Sequence, residues 1–319
     1  MSLKNITKNL LFVIFLLWIC SSLAACDRAD KQSRRDSPPG AYSLDHEPPV
    51  LSGNFASDDI KESSGFAVSQ CNSGVLWTIN DSGDGPFLYA FDEKGTHLGT
   101  FRVPNATNKD WEALAYRKDA NGSCSIYVGE IGNNELERPE QAIYRLTEPA
   151  IGAEDVRSSK DDPRETAPAE ILTFTYPDVR HNAEALLVDP GSGNMYIITK
   201  TSAGPAVVFK IPPDFGKAVT AQRIAEISLP AIPNGMVTGG EFAPDGKSVV
   251  LSDYFAGYEL RLPASTARID EIWSQRPQAI DIGKRKVGEA IAYSPDGSAL
   301  FATSEGKAGS IYRINRKQK

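Results

Sequence analysis

Five segments of this chain restate one pattern: an apolar run, a turn carrying Pro, Gly or Asn, and a second apolar run. The clearest copies are Glu184-Ala-Leu-Leu-Val-Asp189-Pro190, Thr238-Gly-Gly-Glu-Phe-Ala-Pro244-Asp-Gly246 and Glu289-Ala-Ile-Ala-Tyr-Ser-Pro295-Asp-Gly297. Their second runs are Met195 to Thr199, Ser248 to Ser252 and Ala299 to Ser304. Two weaker copies begin at Ser64 and Glu112, so the first positions step by 48, 72, 54 and 51 residues. Self-similarity at about 50 residues is the length of a propeller blade.

Each unit holds four strand-like runs separated by turn chemistry, as in Ser64 to Ser69, Val75 to Asn80, Phe87 to Asp92 and His97 to Val103. That is how a four-stranded blade reads, and helical periodicity is nearly absent. The sequence predicts an all-β fold, a five-bladed β-propeller, with six blades as the alternative. The long step contains the charged, Pro-bearing stretch Ile151 to Ala167, read as an excursion loop within one blade. From Glu289 onward there is room for three strands only. Val50 to Phe55 is the strand-like segment left over, so it is expected to supply the fourth and close the ring, which removes an exposed sheet edge.

The chain divides into residues 1–25, 26–49 and 50–319. The first part carries Lys4 and Lys8, the apolar run Leu10 to Cys20, and Leu23-Ala24-Ala25-Cys26. It reads as an export signal, too short for a membrane span of ordinary length, with an uncleaved anchor helix as the alternative. Leu-Ala-Ala-Cys resembles the lipobox of bacterial lipoproteins. That resemblance implies a mature chain starting at an acylated Cys26, with a lipid bilayer as partner. Asp27 resembles the signal that keeps enteric-type lipoproteins on the periplasmic face of the inner membrane. Residues 26–49 are polar and Pro-bearing, as suits a tether. The remaining residues make one β domain, expected to be a monomer.

The formal net charge is −7, and loss of the signal takes it to about −9, which excludes nucleic acid as a partner. Two cysteines remain beyond Cys20 and Cys26. Cys71 and Cys124 follow the first strands of adjacent blades, and either form a disulfide in an oxidising compartment or stay as two reduced thiols.

In a propeller the first strand of each blade lines the channel, and its entry opens on the same face as the loop after the second strand. The entry positions Ser64, Glu112, Glu184, Thr238 and Glu289 are therefore expected to ring the channel mouth. Around them come the ends of the second strands: Asn80-Asp81-Ser-Gly-Asp84, Glu130, Lys200, Asp253 and Glu305. Three converging glutamates repel one another unless a cation sits between them. The all-oxygen donor set suits calcium, whereas three histidines (His46, His97, His181) at no ligand spacing disfavour zinc. The plainer reading is that each Glu caps a neighbouring strand.

The ring Ser64, Glu112, Glu184, Thr238, Glu289 and the strings Asp110-Trp-Glu-Ala-Leu-Ala115 and Tyr127-Val-Gly-Glu-Ile-Gly132 resemble the calcium-activated nucleotidases, or apyrases. Thr238 stands where that family has Ser. The resemblance implies a central calcium; if the site is catalytic, metal-assisted phosphate hydrolysis is expected, with Asp81, Asp84 or Glu130 as base and with Asn80, Arg180, His181, Lys200 and Arg285, near blade entries or second-strand exits, as phosphate-binding candidates. Closer in wording, Glu62-Ser-Ser-Gly65, Asn80 to Asp84 and Asp110-Trp-Glu112 are similar to exported bacterial propellers of unknown role.

Each candidate also has an ordinary reading. Asp81 and Asp84 suit a Gly-bearing turn, Lys200 and Arg285 suit solvated loops, and His181 suits packing. Trp77, Trp111 and Trp273 read as core. Neither a Gly-x-Ser-x-Gly elbow, a His-Glu-x-x-His helix nor a phosphate-binding Gly-x-x-x-x-Gly-Lys loop is present. Two readings follow: a binding module in the cell envelope for a small ligand or an envelope protein, or a calcium-dependent phosphohydrolase.

Overall fold

The computed structural model describes residues 42–266 and 268–317. The export signal, Cys26 and residues 27–41 of the expected tether lie outside the described residues, whereas residues 42–49, also expected as tether, are held on the propeller: the Ser43 amide donates to the Ala279 carbonyl, the Glu47 amide donates to the Asn315 carbonyl, and His46 bridges to Arg316. Five antiparallel sheets of four strands form the blades, three of them carrying a further short strand. Blade one runs Ser63–Val68, Val75–Asn80, Phe87–Asp92 and His97–Arg102 from the axis outward, matching the expected strands within a residue. The innermost strands of blades two to five are Trp111–Lys118, Ala183–Val188, Gly239–Phe242 and Gly288–Tyr293, and the five pack against one another in cyclic order. Blade five takes its outermost strand from the other end of the chain, as Val50–Asn54 pairs antiparallel with Ser310–Asn315. The five-bladed, ring-closed prediction therefore holds.

Local chemistry explains the inner hairpins. In every blade the turn between first and second strand contains a glycine at positive φ: Gly74, Gly122, Gly193, Gly246 and Gly297. A side chain is strained there, so the Asn/Asp/Pro-with-Gly strings of the repeats are what this turn requires. The core is divided into five apolar clusters, each filling one gap between neighbouring blades. Trp77 and Trp111 are fully buried between blades one and two, and each indole N–H finds an acceptor, Glu148 Oε1 and the Thr107 carbonyl respectively. Cys71 and Cys124 are joined, tying the inner loop of blade one to the second strand of blade two.

Residues 151–167 connect the third and fourth strands of blade two, the excursion within one blade that the sequence predicts. They leave blade two and run back along the outer edge of blade one, where Arg164–Glu165 adds a short parallel strand to His97–Arg102. Ser158 Oγ accepts the Thr100 amide, Arg164 pairs with the buried Asp155, and Lys160 pairs with Asp84. The same device recurs. Ala218–Thr220 of blade three pairs parallel with the outer strand of blade two. The 3-10 turn Ile269–Ser274 of blade four packs on the outer strand of blade three. Tyr42, ahead of the closing strand, bridges in parallel to Ala279 on the outer strand of blade four. In blades two to five the connection to the outermost strand thus covers the edge of the blade before it, which shields the N–H and C=O groups that an open edge would expose.

Candidate functional site: the acidic channel mouth

Side chains from the entries to the innermost strands meet at one end of the channel. Ser64, Glu112 and Glu184 line a single small cavity on the axis together with Gly239, Gly240 and Ala290. Ser64, Glu112, Glu184 and Glu289 are all at most 4% exposed. Ser64 Oγ lies 2.8 Å from Glu112 Oε2 and 3.1 Å from the Glu112 carbonyl. Thr238 is oriented otherwise: its hydroxyl donates to the Glu289 carbonyl at 2.7 Å and lies 3.3 Å from Ser252 Oγ. It fastens blade four to blade five.

Three further carboxylates join the ring. One oxygen from each of Asp81, Asp110 and Glu112 lies within 4.8 Å of the other two. Glu305, at the end of the second strand of blade five, is hydrogen-bonded to Glu289 and feels the charge of Asp81. Asp81, Asp110 and Glu112 are the three that lie this close; Glu184, Glu289 and Glu305 act with them through charge, and protons are held tightly. Burial, then the charges of Glu184 and Asp81, raises Glu112 well above the ordinary range. Glu289 is pushed up to about 10 by burial and by Glu184 and Glu305. Burial raises Glu184 to about 7 even though Lys200 acts the other way, and burial with the Asp81 charge raises Asp110 to about 6.

Two cations touch this cluster. The ammonium of Lys200 pairs with Glu184 Oε1 and sits 4.8 Å from the centre of the Tyr254 ring. Arg138 reaches within 3.9 Å of Asp110 while its main partners are Glu130 and the Gly132 carbonyl. Glu184 Oε2 is buried and has no hydrogen-bond partner.

The remaining sequence candidates are committed to the scaffold. Asn80 accepts the Lys61 and Glu62 amides on Oδ1 and donates to the Asp59 carbonyl and to Asp84, fixing the entry to blade one. Asp84 accepts from Asn80, Tyr89 and Lys160; burial would raise its pKa, and these bonds together hold it below the usual carboxylate range. Glu130 accepts the Lys109 and Asp110 amides at 2.8 and 3.0 Å and so positions Asp110. Of the three candidate bases, then, Asp81 alone joins the ring. Arg180 is exposed and donates to the Leu136 carbonyl. His181 bonds to Asp178 and packs on Tyr176 and Phe209. Arg285 donates to the carbonyls of Thr303 and Asp253, and burial lowers its pKa to about 10. No phosphate-sized cluster of cations forms from these residues.

Sequence reasoning did not single out Asp110, Arg138 or Tyr254. Asp110 lies two residues before Glu112 in the entry loop, and its signal was the Asp-Trp-Glu string itself. Gly132 shows why the loop after the second strand matters. A Cβ there would lie 2.5 Å from the Asp110 carboxylate and 2.7 Å from Glu112 Cγ, so the approach of these two acids depends on a hydrogen at that position.

Fold and site together define a five-bladed β-propeller with a buried, carboxylate-rich channel mouth. No family model and no curated protein matches this chain. Among solved structures it is similar to one of a nidogen/laminin complex, with 16% identity, 81% of this chain and 84% of that chain covered, and a TM-score of 0.43. A gluconolactonase from Xanthomonas campestris gives 12% identity, 89% and 99% coverage, and a TM-score of 0.44. At that level of likeness neither bears on function.

Proposed function

We propose that the protein is a calcium-binding β-propeller that presents its channel mouth to a ligand or partner in the cell envelope, held at the membrane through acylated Cys26. The observation that carries the metal reading is Glu184 Oε2, a buried carboxylate oxygen with no partner among five other carboxylates. An unpaired buried acceptor is costly, and a hard cation bound by six to eight oxygens offsets that cost. Ser64, Asp81, Asp110, Glu112, Glu184, Glu289 and Glu305 fit such an ion by donor type, being oxygen ligands throughout.

The binding reading draws on the same face. Leu136, Val179, Ile232 and Phe255, among the large apolar side chains left exposed, all lie in loops after second or fourth strands, which open beside the mouth. Exposed apolar groups gathered at a polar centre are what a ligand-holding face offers. One observation favours the hydrolytic alternative: Asp81 stands beside Asp110 and Glu112, where a base could reach a water on the metal. Against it, phosphate would meet six carboxylates and one ammonium already paired with Glu184.

Thermal unfolding in EDTA and in millimolar calcium, for wild type and Glu184→Gln, tests the metal site. A ligand bound only to the folded state at a hundred times its Kd adds about 2.7 kcal/mol. The expected result is a calcium-dependent rise in wild type that shrinks or disappears in the variant; no rise in wild type removes the metal from this reading. A screen of nucleotides and phosphate esters with calcium separates the two functions, since turnover abolished by Asp81→Asn would make the protein a hydrolase.

A further inference from the structure

We propose that Lys200 is a tethered cation that occupies the channel mouth in competition with the metal, so that metal binding ejects its ammonium from Glu184. This rests on the metal site argued above and adds its regulation. Among the described residues, Lys200–Glu184 is the only ion pair made by Glu112, Glu184 or Glu289. The pair is half of a ligand set: Oε1 takes the ammonium and the buried Oε2 takes nothing. Lys200 also lies within electrostatic reach of Glu289 and Glu305, so its charge acts on further acids a metal would use.

The geometry lets it leave. Lys200 projects from the end of Met195–Thr201, and its side chain is 15% exposed against 5% for Glu184, so the stem runs from the rim inward. A lysine is a compact charge on a flexible four-carbon stem, unlike an arginine held by a planar fork. The paired ammonium also lies 4.8 Å from the centre of the Tyr254 ring, in the loop after the second strand of blade four, an aromatic contact that does not depend on Glu184.

The consequence is a threshold. A metal must displace a resident positive charge, so affinity is set lower than the acids alone would give, and the mouth never exposes an uncompensated cluster. Calcium titration by calorimetry on the full chain, for wild type, Lys200→Met and Lys200→Arg, reads this directly. Lys200→Met is expected to bind calcium roughly tenfold or more tightly, because a like charge is removed from the site, while Lys200→Arg stays at or below wild-type affinity. Lys200→Gln serves in place of Lys200→Met if the latter fails to fold. In parallel, reductive 13C-methylation gives each lysine an NMR signal, and the one missing from Lys200→Met is expected to shift when calcium chloride is added to wild type. Equal affinity in wild type and Lys200→Met, or an unmoved Lys200 signal in a protein that does bind calcium, would overturn the tethered-cation role while leaving the metal site standing. Absence of binding in every protein would bring down the metal site and this inference together.

Discussion

At the scale of single residues, the entry position of each blade was legible because the repeat places one such residue per blade, and Ser64, Glu112, Glu184 and Glu289 do converge. What could not be read is whether a polar side chain is free. Asn80, Asp84 and Glu130 look like Asp81 in sequence, yet backbone amides and neighbouring side chains claim all three, because loop conformation decides which N–H groups converge on which carboxylate. Titration gives a first test. The folded-state pKa of Glu184 is raised from an ordinary 4.5 to about 7 and that of Asp110 from 3.8 to about 6. Raised values mean that the folded state binds these protons more tightly than the unfolded chain does. Their contribution is therefore full below pH 4 and is lost as pH rises through about 7. In EDTA, unfolding midpoints are expected to fall from pH 5 to pH 8, and calcium is expected to flatten that decline by compensating the ionised acids. A metal-free protein whose stability climbs over this interval would contradict the crowding of carboxylates described here. Gly132→Ala offers a steric counterpart. Its methyl group would push Asp110 and Glu112 apart, so the calcium-induced rise in midpoint is expected to shrink, with the fold retained by circular dichroism.

At the scale of elements, strand positions were recovered almost to the residue where turn glycines and prolines punctuate the repeat. The stretch 151–167 was legible as an excursion of one blade, but its packing on the neighbouring blade was not, for a physical reason. Its low apolar content marks it as surface chain, but nothing local says which surface, and it is fixed by distant partners such as Thr100 for Ser158 and Asp84 for Lys160. Lys160→Ala is expected to raise cleavage by a protease within residues 151–167, monitored by mass spectrometry, with little change in global stability. The Cys71–Cys124 bond, one of the two sequence alternatives, spans 53 residues. Closing a loop of that length restricts the unfolded chain by about 4 kcal/mol in the entropic treatment, and measured effects of removing native bonds run to about 2–5 kcal/mol. Denaturant unfolding of Cys71→Ser is expected to show a loss of that size with the fold intact, and reduction of wild type is expected to match it.

At the scale of the whole molecule, ring closure converts five marginal sheets into one body. Each apolar cluster lies between two blades, so no blade has a finished core alone. The period and the one leftover strand, Val50–Asn54, favoured five closed blades over the six-bladed alternative, and the structure has five. The same closure gathers one entry residue from each blade at the axis and creates the acidic mouth as a collective property. Its chemistry is absent from any single repeat. The direct measurement is the stoichiometry and affinity of calcium on the purified full chain by isothermal titration, beside Glu184→Gln. One calcium per chain in wild type, bound at least about tenfold more weakly when Glu184 loses its charge, is the result expected for a cation held by converging carboxylates. Heat signals absent from wild type, or binding indifferent to Glu184→Gln, would show that the mouth is a set of protonated, structural acids and that calcium has no place in it.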